Sequence, residues 1–192
     1  MEGTDNGKTA MMAEKDVMFA ASIFRYNAGA AERLGGESFQ RDNGYGFVRR
    51  EPRIAGCITP WNFPLLMTTF KMAPLLASGS CGLFKTPELT PLSSLKMAEI
   101  WTNLEGSVPG VINMLPGDGV EAGEAIVDHP KVGSIHFTGS TAVGQRIMVR
   151  AATTVKRTFL ELGGKAPFIV CDDANLDKAA TIGSVFGSVN TG

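Results

Sequence analysis

Apolar residues recur at three- and four-residue spacing over 12–34, with Val17, Ala21, Phe24, Ala28 and Ala31 on one stripe. Glu14, Lys15, Arg25 and Glu32 supply the polar face, so the pattern predicts an amphipathic helix. Over 35–53 the rhythm changes. Gly35-Gly36 and Asn43-Gly44 are turn signals, and the alternation Gly46-Phe47-Val48-Arg49 predicts a loop and a hairpin strand.

From residue 54 onward short apolar runs alternate with helical stretches. Strands are predicted at 54–59, 81–84, 111–115, 133–137, 157–161 and 167–171, and helices at 65–76, 91–105, 120–128, 141–152 and 174–189. The first of these helices carries Leu66, Phe70, Ala73 and Leu76 on one stripe. Pro74 should kink it or end it early, because proline lacks the amide hydrogen and crowds the preceding turn. Thr90-Pro91 has the form of an N-cap followed by proline at the first helical position. Strands alternating with helices imply parallel βαβ units and a doubly wound parallel sheet in an α/β fold. The rhythm is still running at Gly192, so a partial architecture is expected.

Composition narrows the function classes. Hydrophobic residues make up 44% of the 192, enough for a packed core. A net charge of −1 with interspersed acids and bases argues against nucleic-acid binding, which needs a basic face. No apolar run reaches the roughly 18 residues of a membrane span, and Met1–Lys8 is too polar for a secretory signal. Cys57, Cys81 and Cys171 are odd in number and widely spaced, which suggests buried reduced thiols in a cytoplasmic protein and no metal site.

Four stretches could carry chemistry, each with a plainer alternative. Gly117-Asp118-Gly119-Val120-Glu121-Ala122 follows a strand and opens a helix, as a dinucleotide fingerprint does. The acidic residue expected about 20 positions on is missing, and a glycine-rich turn explains the motif equally well. Phe137-Thr138-Gly139-Ser140-Thr141 ends a strand in small residues at a helix start, where free N–H groups suit a phosphate; a simple helix cap would look the same. Lys85-Thr86-Pro87-Glu88 could grip ribose hydroxyls at a strand end, or could be a solvated surface pair. Glu161-Leu162-Gly163-Gly164-Lys165 could offer a movable general base, or just a glutamate before a glycine turn.

Order adds what no single motif does. Pro60-Trp61-Asn62-Phe63-Pro64, Lys85-x-x-Glu88-Leu-Thr-Pro, Pro109-Gly110-Val111, Phe137-Thr138-Gly139-Ser140 and Leu160-Glu161-Leu162-Gly163-Gly164-Lys165 stand in a sequence that resembles the aldehyde dehydrogenase superfamily. The resemblance runs from Asp5-Asn6-Gly7-Lys8 to Asn190-Thr191-Gly192. It implies a Rossmann-like cofactor domain and oxidation of a small aldehyde to an acid, with NAD or NADP, through a thiohemiacetal on a cysteine. Residues 1–53 would then pack as helix and hairpin on a cofactor domain at 54–162, and 163–192 would begin the catalytic domain.

The resemblance also implies roles. Asn62 is similar to the oxyanion-hole asparagine, and Glu161 to the general base. Ile58, Thr59, Pro60 and Trp61 would line the cofactor cleft, and Lys85 with Glu88 would hold the adenosine ribose. The Glu88 carboxylate would repel a 2′-phosphate, which favours NAD over NADP. Ser140 and the Gly139 turn would meet the pyrophosphate, and Phe137, Thr138, Val143 and Gly144 belong to the same cofactor-binding stretch. Gly119 and Gly123 would pack beside it, and Leu162 and Gly163 would approach the nicotinamide.

Three departures stand out. The family's Lys-Pro dipeptide is here Lys85-Thr86-Pro87, and Gly82 should weaken the strand before it. The family's Asn-x-Gly-Gln-x-Cys places the nucleophile just past Gly192, while Asp172-Asp173 disfavour a thiolate at Cys171. The 192-residue chain is therefore expected to be a fragment without aldehyde oxidation of its own. The alternative is a non-catalytic nucleotide-binding or interaction module. Homo-oligomers are usual in the family.

Overall fold

The computed structural model describes residues 1–48 and 51–191. Arg49, at the end of the predicted hairpin strand, and Gly192 lie outside the described residues. The chain opens with a short helix that the periodicity missed, α1 (Glu2–Asn6), ended by Gly7 at φ 87°. The left-handed turn there suits glycine, and it leads into α2 (Ala10–Ala31). Strands β1 (Glu37–Arg41) and β2 (Gly44–Val48) then form an antiparallel hairpin closed at Arg41↔Gly44.

The rest is strand–helix alternation: β3 (Ile54–Ile58), α3 (Pro64–Ala77), β4 (Cys81–Thr86), α4 (Leu92–Asn103) and β5 (Ile112–Pro116). A π-helical turn at Gly119–Gly123 leads into α5 (Glu124–Asp128), followed by β6 (Ser134–Gly139), α6 (Thr141–Ala152), β7 (Arg157–Leu162) and α7 (Leu176–Ser188). β3 to β7 form one parallel sheet in the order β5-β4-β3-β6-β7. The chain winds outward from β3 to β5, then crosses back to build β6 and β7. The reversal falls between β3 and β6, the kind of switch point where open α/β sheets bind ligands.

Both faces of the sheet are covered. Ala55, Cys57 and Phe84 pack against Met72 and Leu75 of α3 and Met97 of α4. On the other face Ile58, Ile135 and Phe137 pack against Ile126 and Val127 of α5 and Ile147 of α6. α2 lies outside α3 as a further layer, through Ala20, Ile23, Leu66 and Ala73.

Several expectations are corrected. The buried side of α2 is Asp16, Ala20 and Ile23, whereas Val17, Ala28 and Ala31 are exposed. Partner geometry, not periodicity, selects the face. α3 buries Leu66 and Ala73 as expected, but Phe70 is exposed and the helix runs through Pro74 to Ala77. Thr90 does not cap α4. Its hydroxyl donates to the Trp61 carbonyl, and the Leu92 N–H at the start of α4 donates instead to Asp5 Oδ2 at 2.8 Å. Gly82 is no weak point: a Cβ there would lie 2.4 Å from the Phe84 ring and 2.8 Å from Leu75, so the large neighbours already fill its space. The predicted strand at 167–171 does not form. Phe168, Ile169 and Val170 are exposed and pair with no other strand among the described residues. Of the thiols, Cys57 is buried, Cys81 half-buried and Cys171 exposed, so the reading of all three as buried holds in full for Cys57 alone.

Candidate active site

Parallel strands all point their carboxyl ends to one edge of the sheet, which brings distant motifs together. β3 delivers the segment Thr59 to Asn62, β4 delivers Lys85, β6 ends at Gly139 and β7 carries Glu161. They surround one cleft of about 1190 Å³ at the switch point. Every residue assigned to the site from the sequence lines it except Gly144. Gly144 lies behind the wall, where a Cβ would come 2.6 Å from the Leu162 side chain, so its smallness lets α6 approach β7.

Lys85 falls inside β4, which runs two residues beyond the predicted strand end, and is buried. It is not half of a solvated pair: its Nζ donates to Glu88 Oε2 at 2.5 Å, while Glu88 stays exposed at the cleft mouth. The hydrogen bond from Lys85 holds the Glu88 carboxyl below the usual carboxylate range. Across the cleft, Ser140 Oγ accepts from the Val143 N–H at 3.4 Å and caps α6. The cap uses an oxygen lone pair and leaves the hydroxyl proton for an acceptor beyond the helix start. The cap and the anion site, alternatives in the sequence, are therefore compatible.

Two glycines show room for a bound group. A Cβ on Gly119 or Gly163 would meet no protein atom within 4 Å, so packing does not require glycine at either place. Both border the cleft, where bare backbone lets a ligand come close. Gly117, the first glycine of the fingerprint-like motif, stays out of the wall and packs under Ala122.

Sequence reasoning missed a polar cluster at the base of the cleft. Lys71 is the one charged residue of α3, and its Nζ donates to Thr138 Oγ1 at 2.7 Å. Burial lowers the Lys71 ammonium from the ordinary lysine value, against the opposing influence of Cys57 and Glu161. His136, also in the wall, stacks on Phe159 at 4.5 Å and meets Ser134 Oγ through Nε2. Burial and then the Lys71 charge push its pKa down. Burial raises the Cys57 thiol to about 12, so it is not a nucleophile. None of the three cysteines lines the cleft. A lone cation within an otherwise uncharged helix was the available signal for Lys71.

The segment bearing Asn62 is also held from outside. Asn6 Nδ2 donates to the carbonyls of Trp61 at 2.8 Å and Asn62 at 3.3 Å, Thr90 Oγ1 to Trp61 at 2.9 Å, and Asn190 Nδ2 to Asn62 at 2.7 Å. Among the described residues no group of three or more His, Cys, Asp or Glu could hold a metal ion, and no helix is long and apolar enough to cross a membrane.

A doubly wound parallel sheet with a helix N-terminus and a lysine–glutamate pair bordering one cleft at its switch point defines an α/β domain of the kind that binds ligands at that edge. The aldehyde dehydrogenase family profile matches residues 1–192, and the chain belongs to that family. It is 44% identical over 197 residues to the mitochondrial aldehyde dehydrogenase of Leishmania tarentolae, covering 100% of this chain and 39% of the relative. Betaine aldehyde dehydrogenase 1 of Oryza sativa subsp. japonica is 44% identical, over 93% of this chain and 36% of its own. Among solved structures, the NAD+ complex of an aldehyde dehydrogenase from Bacillus cereus superposes with a TM-score of 0.86 at 40% identity, over 94% of this chain and 37% of that one. The chain thus spans well under half the length of these relatives.

Proposed function

We propose that this chain is the cofactor-binding part of an enzyme that oxidises a small aldehyde to a carboxylic acid with NAD. The observation that carries the reading is convergence: Asn62, Glu161, Ser140 and the Lys85–Glu88 pair, up to 99 positions apart in sequence (161 − 62), border one cleft. When bound, the dinucleotide supplies the hydride acceptor. The chain's own residues do the rest. The α6 N-terminus and Ser140 receive the pyrophosphate, and Lys85 with Glu88 receives the adenosine ribose. Asn62 offers a side-chain N–H to the oxygen that becomes negative when the aldehyde carbon is attacked, and Glu161 takes up a proton from the attacking group.

NAD is favoured over NADP by charge. The Glu88 carboxyl, held in its ionised form by Lys85, would face a 2′-phosphate with like charge. Titration calorimetry should give NAD an affinity about tenfold or more above NADP, a difference of roughly 1.4 kcal/mol. Glu88→Gln should narrow the gap. Equal binding of both cofactors by the unaltered chain would remove the basis of the assignment.

With no cysteine in the cleft wall, the 192-residue chain by itself is expected to bind the cofactor without turnover. NADH formed from an aldehyde by the purified chain would overturn that part of the reading. Three free cysteines fit a reducing compartment such as the cytoplasm. Residues 163–191 fit the start of the catalytic domain, since α7 buries none of its residues against the sheet domain.

A further inference from the structure

We infer that Asn6 is a positioning residue for the Asn62 segment, so that the amino-terminal helix α1 is a working part of the site. The inference rests on the proposed role of Asn62.

Asn62 follows the end of β3 by four residues and precedes α3, in a connection where no sheet ladder fixes the backbone. Its orientation must come from other bonds. Asn6 is buried, at 9% exposure, and its amide nitrogen reaches two successive carbonyls, Trp61 at 2.8 Å and Asn62 at 3.3 Å. One donor shared by consecutive carbonyls fixes both peptide planes flanking Asn62, and hence the direction of its Cα–Cβ bond. Thr90 and Asn190 bond the same two carbonyls, and each of these contacts ends on a main-chain oxygen. The clamp thus sets where Asn62 sits without occupying its side chain.

Asn6 is itself held in place. Gly7, in the left-handed region, turns the chain so that the neighbouring Lys8 points inward. Lys8 Nζ bonds Asp16 Oδ2 at 2.6 Å and Glu2 Oε1 at 3.1 Å, and lies 4.7 Å from the centre of the Phe63 ring. Asp5, on the other side of Asn6, accepts from the Leu92 N–H. Residues Asp5, Asn6 and Lys8 therefore each tie α1 to a different neighbour: α4, the Asn62 segment, and α2 with Phe63. A preorganised oxyanion donor depends on such outer support, because its placement must be good to about half an ångström.

The chain contains two tryptophans, Trp61 in the clamped segment and Trp101 in α4. Incorporation of 5-fluorotryptophan gives one 19F resonance for each. Asn6→Leu removes the donor at similar volume and should shift or broaden the Trp61 resonance while leaving Trp101 in place. Asn6→Asp, which keeps the shape and turns a donor into an acceptor, should do the same. Thr90→Val should move the Trp61 resonance in a smaller way, and it remains readable if the Asn6 variants do not fold. In a polypeptide that joins this chain to a catalytic cysteine, Asn6→Leu should lower kcat about tenfold with the NAD KM unchanged, since Lys85, Glu88 and Ser140 are untouched. A Trp61 resonance unmoved in all three variants would overturn the clamp. Unchanged kcat in Asn6→Leu, where Asn62→Ala lowers it, would overturn the positioning role. No loss in Asn62→Ala would instead count against the proposed function.

Discussion

Lys71 Nζ donates a 2.7 Å hydrogen bond to Thr138 Oγ1, tying the middle of α3 to the carboxyl end of β6. The bond crosses the switch point and puts a buried positive charge beside His136 and Glu161. Burial is the larger cause of the lowered His136 pKa and the Lys71 charge the second. Lys71→Met should therefore raise the His136 pKa while leaving it below the ordinary 6.5. Histidine C–H resonances followed by NMR titration check this, with His129 as the only other histidine. A His136 pKa that stays put or falls would contradict the coupling.

The same histidine makes stability depend on pH. Its folded pKa lies below 6.5, so the unfolded chain binds the extra proton first as pH falls. The contribution is complete above 6.5 and drains away below it, until the folded ring protonates as well. His136→Phe preserves a ring for Phe159 to stack on and should flatten this part of the profile, measured by urea denaturation between about pH 7 and 5.

Gly163 and Gly144 should respond in opposite ways. Gly163→Val places carbon into the open cleft, so the melting temperature should hold while NAD affinity falls about tenfold, roughly 1.4 kcal/mol. Gly144→Ala forces a methyl against the Leu162 side chain, a clash offset in part by the roughly 1 kcal/mol helix preference of alanine, and should cost about 1 kcal/mol of stability with NAD affinity kept. Thermal melts and cofactor titration on both variants separate the roles. Equal loss of stability in the two would show that Gly163 is a packing glycine too.

Lys8 is a stability anchor. It is fully buried between two carboxylates, and Lys8→Met would leave Glu2 and Asp16 without their shared cation. Breaking a buried pair in this way costs roughly 3–5 kcal/mol. A denaturant midpoint for Lys8→Met equal to that of the unaltered chain would show that α1 contributes little to the fold.

Much of the architecture was legible because its signals are local. Asn43-Gly44 marked the hairpin turn, the alternation of apolar runs and helical spacing marked the βαβ units, and α6 begins and ends where the pattern predicts. The motifs that border the cleft were legible for a related reason: parallel strands deliver their carboxyl ends to one edge, so motifs at strand ends must meet there. Several of the misses depend on partners. Which face of α2 is buried follows from where α3 lies, and 167–171 has strand composition but no strand beside it. Thr90-Pro91 looked like a cap because caps are read from neighbouring residues, while the acceptor for the Leu92 N–H is Asp5, 87 positions from it.

By itself, then, the sequence determined the strand–helix alternation from β3 to β7, the parallel sheet, the family, and the residue types that edge the cleft, all of which are encoded within a few positions of one another or in the spacing between motifs. Tertiary structure alone decided that Lys71 and His136 share the base of the cleft, that Gly144 lies behind its wall, and that Asn6 holds a segment 55 residues away. Those contacts join residues with no local pattern between them. They exist because the packed layers bring a donor and an acceptor together out of water, where each polar group must find a partner.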